Sequence, residues 1–166
     1  MTAGQSTTLY YKSFRVLLWM LMMAYLAIIT KLIIFKKSFR DVKNFLLHQY
    51  SWQAAKANMH NANLTPFKTI RLYLQPHVRE EMAIANLLGN IIGFIPLGIL
   101  LPLLFYQLRT APRTILFVFL FSLGFELTQL FTMLGVFDVD DLLLNTLGGA
   151  IGYFAYALFR RITSQP

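Results

Sequence analysis

The chain has 166 residues, of which 57% are hydrophobic and 13% charged; it carries a net charge of +8 and no cysteine. Soluble domains carry roughly 25% charged residues, so the composition excludes an ordinary soluble globule and, by its apolarity, a disordered chain; zero cysteine excludes disulfide frameworks, cysteine-ligated zinc and iron–sulfur clusters. Fifteen Lys and Arg against seven Asp and Glu would suggest nucleic acid in a soluble protein, but here the basic residues flank apolar blocks rather than form one patch, which points to an anionic membrane surface and not to nucleic acid.

The apolar residues come in blocks. Val16 to Phe35 carries Lys31 as its lone charge, Met82 to Leu108 carries none, Thr114 to Phe137 carries Glu126, and Leu142 to Phe159 carries none. A bilayer core of about 30 Å takes about 20 helical residues, and backbone inside lipid must satisfy its own hydrogen bonds. The chain is therefore read as all-α, a polytopic membrane bundle of four transmembrane helices. An N-terminal part, residues 1–62, holds an anchor helix over about 16–35 and a loop; a three-helix part, residues 63–160, has spans over about 82–106, 114–137 and 142–159. The first block is too long for the apolar core of a secretory signal, and Lys36, Lys37 and Arg40 follow it instead of a small-residue cleavage site.

In the first loop, Phe39, Val42, Phe45, Leu46, Gln49 and Trp52 fall near a 3.6-residue period. This predicts an amphipathic segment lying in the interface; a soluble hairpin packed on the bundle fits the same pattern. Asn63-Leu64-Thr65-Pro66-Phe67 follows, with Thr65 placed to cap a short helix that starts at Pro66 and ends at Pro76. Both termini and the second loop share one membrane face, which holds Lys12, Arg15, Arg109, Arg113, Arg160 and Arg161. The third loop, Gly135 to Asp141, has three aspartates and no Lys or Arg. The basic bias places both termini in the cytoplasm, although Lys36, Lys37, Arg40 and Lys43 pull the other way.

Polar residues at membrane depth carry the functional signal. Asn86 and Asn90 are four apart beside a Gly89/Gly93 step; Ser122, Glu126 and Gln129 share a face of the third span; Asp141, Asn145, Gly148 and Gly152 share one of the fourth. Small residues let helices approach and amides bond across the gap, so the stripes are expected to face one another. At about 1.5 Å per residue, Asn90 lies ~12 Å and Asn145 ~5 Å below the starts of their spans, and Glu126 ~16 Å below the end of its own. All are measured from the face bearing the first and third loops, the outer leaflet in this orientation. A charge near the bilayer centre costs at least about 2.5 kcal/mol, so Glu126 must face protein or water, pair, or hold a proton. Asp138, Asp140 and Asp141 offer oxygen ligands for Mg²⁺ or Ca²⁺; equally, Asp140 or Asp141 can cap the fourth helix.

Asn86-Leu87-Leu88-Gly89-Asn90 with Gly93-Phe94-Ile95-Pro96-Leu97-Gly98 resembles the second-helix signature of the VanZ-like family. Glu126-Leu127-Thr128-Gln129, Phe137-Asp138-Val139-Asp140-Asp141 and Asn145-Thr146-Leu147-Gly148-Gly149 follow its downstream pattern in order, and Asn63, Pro66 and Phe67 match its loop motif. Members often carry an Arg shortly before the Phe-Asp pair; Gly135 and Val136 stand there, so no role of that Arg carries over. The resemblance implies a bacterial cell-membrane protein associated with teicoplanin-type glycopeptide resistance. Its expected ligand site comprises Asn86, Asn90, Glu126, Gln129, Asp138, Asp140, Asp141 and Asn145. The expected partners are membrane lipids, including anionic lipids or lipid-linked envelope polymers. Two further classes remain open on the residues: an enzyme using Glu126 as acid or base and a cation at the aspartates, and a transporter built on Glu126.

Overall fold

The computed structural model describes residues 3–33, 42, 43, 47, 50–75 and 80–163. The elements run α1 (Ala3–Ile33), α2 (Trp52–His60), α3 (Lys68–Tyr73), α4 (Glu80–Leu104), a 3-10 turn (Tyr106–Leu108), α5 (Ala111–Thr132) and α6 (Val139–Thr163). The protein is all-α, and four of its helices have segments long and apolar enough to cross a membrane: Lys12–Ile33, Ala83–Leu104, Ala111–Thr132 and Val139–Thr163. Extended pairing among the described residues is limited to one parallel bridge, Asn63 with Asp138.

Lipid tails are as apolar as leucine, so spans associate through close packing and hydrogen bonds rather than through exclusion from water. The tightest contact joins α4 and α6 and runs through glycines. A Cβ on Gly148 would stand 2.0 Å from the Ile91 carbonyl oxygen, on Gly152 2.1 Å from that of Ile95, and on Gly98 2.0 Å from that of Gly149. The expected Gly89/Gly93 packing step is not part of this seam. A Cβ on Gly89 meets nothing within 4 Å, and one on Gly93 faces the Ile29 side chain of α1. The α4 helix continues through Pro96 and Pro102.

Helix α5 lies on the other side of α6, with Val118 against Gly149 and Asn145 donating to the Ser122 hydroxyl at 2.9 Å. Phe94, Leu97, Leu101, Val118 and Phe125 form the centre of the core. Helix α1 is the outermost span. Leu18, Met22 and Ile29 make its buried stripe, while Leu17, Met20, Met23 and Ile28 face outward. The Tyr25 hydroxyl ties it to α4 by donating to the Gly93 carbonyl at 3.0 Å.

Several predicted boundaries shift. The second span ends at Leu104 rather than 106, because a 3-10 turn returns the chain. The third ends at Thr132 rather than Phe137, with Met133 left-handed at φ 56°, and the fourth begins at Val139 rather than Leu142. The residues between leave the helix to pair with Asn63: its N–H donates to the Phe137 carbonyl at 2.8 Å and its carbonyl accepts from Val139 N–H at 3.0 Å. In the first loop, Val42 is buried and Trp52 is exposed at the start of α2; Phe39, Phe45, Leu46 and Gln49 of the predicted amphipathic segment lie outside the described residues.

Candidate functional site

A cavity of about 230 Å³ opens between the ends of the spans on the side of the first and third loops. Helix α4 supplies Asn86, Gly89 and Asn90, α5 supplies Glu126 and Gln129, and α6 supplies Asp141 and Asn145. Ile29, Leu32 and Ile33 of α1 close the remaining wall. Sequence periodicity explains the convergence: each polar pair sits three or four residues apart, so each helix presents both members to one side.

The depths even out once the true helix ends are known. Glu126 is six residues from the end of α5, and Asn145 six from the start of α6, or ~9 Å in each case. Helix α5 ends before the apolar block does, which brings Glu126 nearer the helix end, and α6 starts three residues before its block, which takes Asn145 deeper. The polar atoms therefore gather toward one end of the bundle rather than at its middle.

Each polar side chain has definite partners. Asn90 Nδ2 donates to Asp141 Oδ1 at 2.6 Å. Glu126, 2% exposed, accepts the Asp138 backbone N–H at 2.9 Å. Gln129 Nε2 donates to the Ile33 carbonyl at 2.9 Å and so caps the end of α1. Asn145 is 2% exposed; beyond its bond to Ser122, its Oδ1 is buried with no hydrogen-bond partner among the described residues. A buried acceptor left unmade costs about 1–3 kcal/mol. Asn86 is exposed at the rim.

The three aspartates separate. Asp138 Oδ1 accepts the Asp140 N–H at 2.9 Å, the bond of an N-cap residue two positions before, so the cap of α6 is Asp138 and not Asp140 or Asp141. Asp140, fully buried, turns instead to α3 and accepts the N–H groups of Phe67 at 2.5 Å, Thr69 at 2.7 Å and Ile70 at 3.1 Å. The predicted Thr65 cap is therefore corrected: Pro66 and Phe67 form a turn, α3 begins at Lys68, and its open N–H groups are met by a carboxylate from another helix. This also holds Phe67 at φ 65°, a conformation costly for a bulky residue unless its surroundings fix it. Asp141 alone of the three reaches the cavity. Among the described residues, no group of three or more His, Cys, Asp or Glu side chains comes together as a metal site.

Asn63 completes this latch. Its Nδ2 donates to Asp138 Oδ1 at 2.8 Å and Thr69 Oγ1 at 3.0 Å, while its Oδ1 accepts the Thr65 N–H at 3.2 Å. Thr69 Oγ1 in turn donates to Asp138 Oδ2 at 2.5 Å. Asn58 Nδ2 reaches the carbonyls of Leu130 at 3.1 Å and Gly135 at 2.9 Å. Asn63, Pro66 and Phe67 thus roof the end of the bundle rather than line the cavity. Close by, burial first and then the carboxylates of Asp141 and Asp138 push the Tyr73 phenol above its ordinary value.

The sequence pattern of the VanZ/LLP1 family matches residues 19–160. The chain belongs to the VanZ/LLP1 family. It is 31% identical over 145 residues to Protein VanZ of Enterococcus faecium, an alignment covering 87% of this chain and 76% of that protein. No solved structure matches. All the cavity-lining residues fall inside the part of this VanZ/LLP1 chain that the family pattern covers. Sequence reasoning had not found Asn58, Thr69 or the α1 wall. Asn58 and Thr69 are single polar residues in a polar loop, and Ile29, Leu32 and Ile33 read as ordinary lipid-facing residues.

Proposed function

We propose that this VanZ/LLP1 protein binds the polar headgroup of an envelope lipid, a lipid-linked glycopolymer or a lipoglycopeptide in the cavity between α1, α4, α5 and α6, and that this binding contributes to teicoplanin-type resistance. The observation that carries the reading is the Asn145 amide: 2% exposed, lining the cavity, with its Oδ1 unpartnered among the described residues. A ligand bearing hydroxyl, amide or amine donors offsets that cost, because burial strengthens the bond it makes there. Ala85, Asn86, Gly89 and Leu32 are cavity residues that are also exposed, so the cavity opens sideways between α1 and α4, where a lipid-anchored ligand would enter.

Both termini lie in the cytoplasm on this reading, by the basic flanks of the spans, and the cavity opens in the outer leaflet. The test is a deletion strain complemented with wild-type or Glu126→Gln protein. Gln still accepts the Asp138 N–H but removes the carboxylate. Resistance to teicoplanin-type antibiotics lost at unchanged membrane abundance supports the reading; resistance lost only in proportion to protein abundance refutes it and makes Glu126 a packing residue.

A further inference from the structure

At the opposite end of the bundle, on the face holding both termini, the α4–α5 turn presents Arg109. Its Nε donates to the Pro102 carbonyl at 3.3 Å and its guanidinium carbon lies 5.0 Å from the centre of the Tyr106 ring. Its own carbonyl accepts from the Tyr153 hydroxyl at 3.1 Å. The side chain is therefore held, part-buried, before any ligand arrives. A cleft of about 320 Å³ beside it is lined by Arg109, Arg160, Arg161, Tyr153 and Tyr156. A second, of about 630 Å³, lies on its other flank, where Arg15 joins Phe14, Leu18, Trp19 and Leu103. None of the described residues lining either cleft is acidic.

We propose that Arg109, with Arg160 and Arg161, forms a binding site for the phosphate ester of an anionic phospholipid. Arg109, Arg160 and Arg161 bring three guanidinium groups to one cleft, and positive charge concentrated at a cleft draws anions. Guanidinium is planar and forked, and meets two phosphate oxygens at once; the contact with the Tyr106 ring and the bond to the Pro102 carbonyl hold the group in place in advance. The adjoining cleft continues from Arg109 along Leu18, Leu103 and Trp19 of the spans, the course an acyl chain would take from a headgroup at Arg109. This site is separate from the polar cavity and does not depend on what that cavity binds.

The test uses the full chain, purified in detergent and titrated with phosphatidylglycerol, with bound lipid counted by native mass spectrometry. Arg109→Gln and the double variant Arg160→Gln/Arg161→Gln are each expected to weaken binding about tenfold or more, by loss of charge-assisted bonds. Arg109→Lys is expected to lose most of the affinity, since charge without the fork does not suffice. Lys12→Gln removes the same charge from the same face and is expected to change binding less than about twofold. Binding that survives a large excess of free glycerol phosphate assigns the site to the lipid; displacement assigns it to soluble phosphate esters. Equal weakening by Lys12→Gln and Arg109→Gln, or wild-type binding in both the Arg109→Gln and the Arg160/Arg161 variants, overturns the proposal. The double variant changes exposed residues, so a folding defect confined to Arg109→Gln does not remove the test.

Discussion

Gly89 and Gly148 separate a cavity role from a packing role within the same bundle. Gly89 lines the cavity, and a Cβ there meets nothing within 4 Å. Gly89→Leu would place a branched side chain into a space of about 230 Å³ and remove a helix-interior glycine, a change worth about 1 kcal/mol in favour of the helix. Gly148→Ala adds one methyl, but that methyl would stand 2.0 Å from the Ile91 carbonyl oxygen and 3.1 Å from the Ile91 Cα. The obstacle is main chain, so α4 and α6 must move apart along the seam that also carries Gly98 and Gly152. Overpacking of this kind costs about 3 kcal/mol, or roughly 5 °C or more in Tm for a chain of this size. The larger substitution is thus expected to leave the melting temperature in detergent unchanged or raised while abolishing resistance in a complemented deletion strain. The smaller one is expected to lower the melting temperature and the membrane abundance together. A Gly89→Leu protein that is abundant, stable and fully protective would end the case for the cavity. A Gly148→Ala protein as stable as wild type would end the account of the helix seam.

Asp140→Ala strips the carboxylate from three N–H groups at the start of α3; with charged hydrogen bonds worth about 1.5–3 kcal/mol each, residues 63–75 are expected to become the first point of proteolytic cleavage, and an unchanged cleavage pattern would contradict the latch. Asn145→Leu removes the unpartnered Oδ1 but also the bond to the buried Ser122 hydroxyl, opposing effects of about 1–3 kcal/mol each, so thermal stability in detergent is expected to stay near that of the wild type while resistance falls; a strongly destabilised variant with full resistance would contradict both expectations. The Tyr73 phenol is raised above its ordinary value of 10.0, by burial first. Its contribution to stability is therefore fully present below pH 10.0 and lost as pH climbs through the higher folded-state value. Tyr73→Phe should flatten that alkaline loss of stability, and tyrosinate absorbance should show one fewer late-titrating phenol in the variant than in the wild type. Because the chain has no cysteine, a single Leu64→Cys at this exposed loop position should react with a membrane-impermeant maleimide on intact cells; labelling only after lysis would place the cavity in the inner leaflet.

The spans were legible because apolar blocks of about 20 residues have few other uses. The convergence of Asn86, Asn90, Glu126, Gln129, Asp141 and Asn145 was legible because three- and four-residue spacing assigns each to one helix face, and antiparallel spans leave few ways to bury those faces. The ends of the spans were not. Met133 to Phe137 is as apolar as the helix before it, and hydropathy does not distinguish a span from a turn that folds back to meet Asn63. The cap of α3 was out of reach for a different reason. A capping residue is sought within the neighbouring few positions, whereas Asp140 stands 73 residues from Phe67. The glycine seam was half visible. Gly148 and Gly152 lie on the predicted stripe, but their counterparts are the carbonyls of Ile91 and Ile95, and a carbonyl leaves no trace in residue identity.

Successive residues on an α-helix point ~100° apart, and the start of α6 uses that angle to serve two purposes. Asp140 turns to α3 and fixes the roof; Asp141 turns to Asn90 and the cavity. The two are joined through Asp138, whose side chain caps α6 and takes bonds from Asn63 and Thr69 while its N–H binds Glu126. Loosening the roof therefore releases the donor that positions the Glu126 carboxylate, so a roof variant reaches the cavity without touching its wall. Alanine at Asn63 accordingly does not separate fold from function, because its loss spreads along the same chain of bonds. Gly89→Leu does separate them, since no hydrogen bond passes through a glycine side position that faces open space.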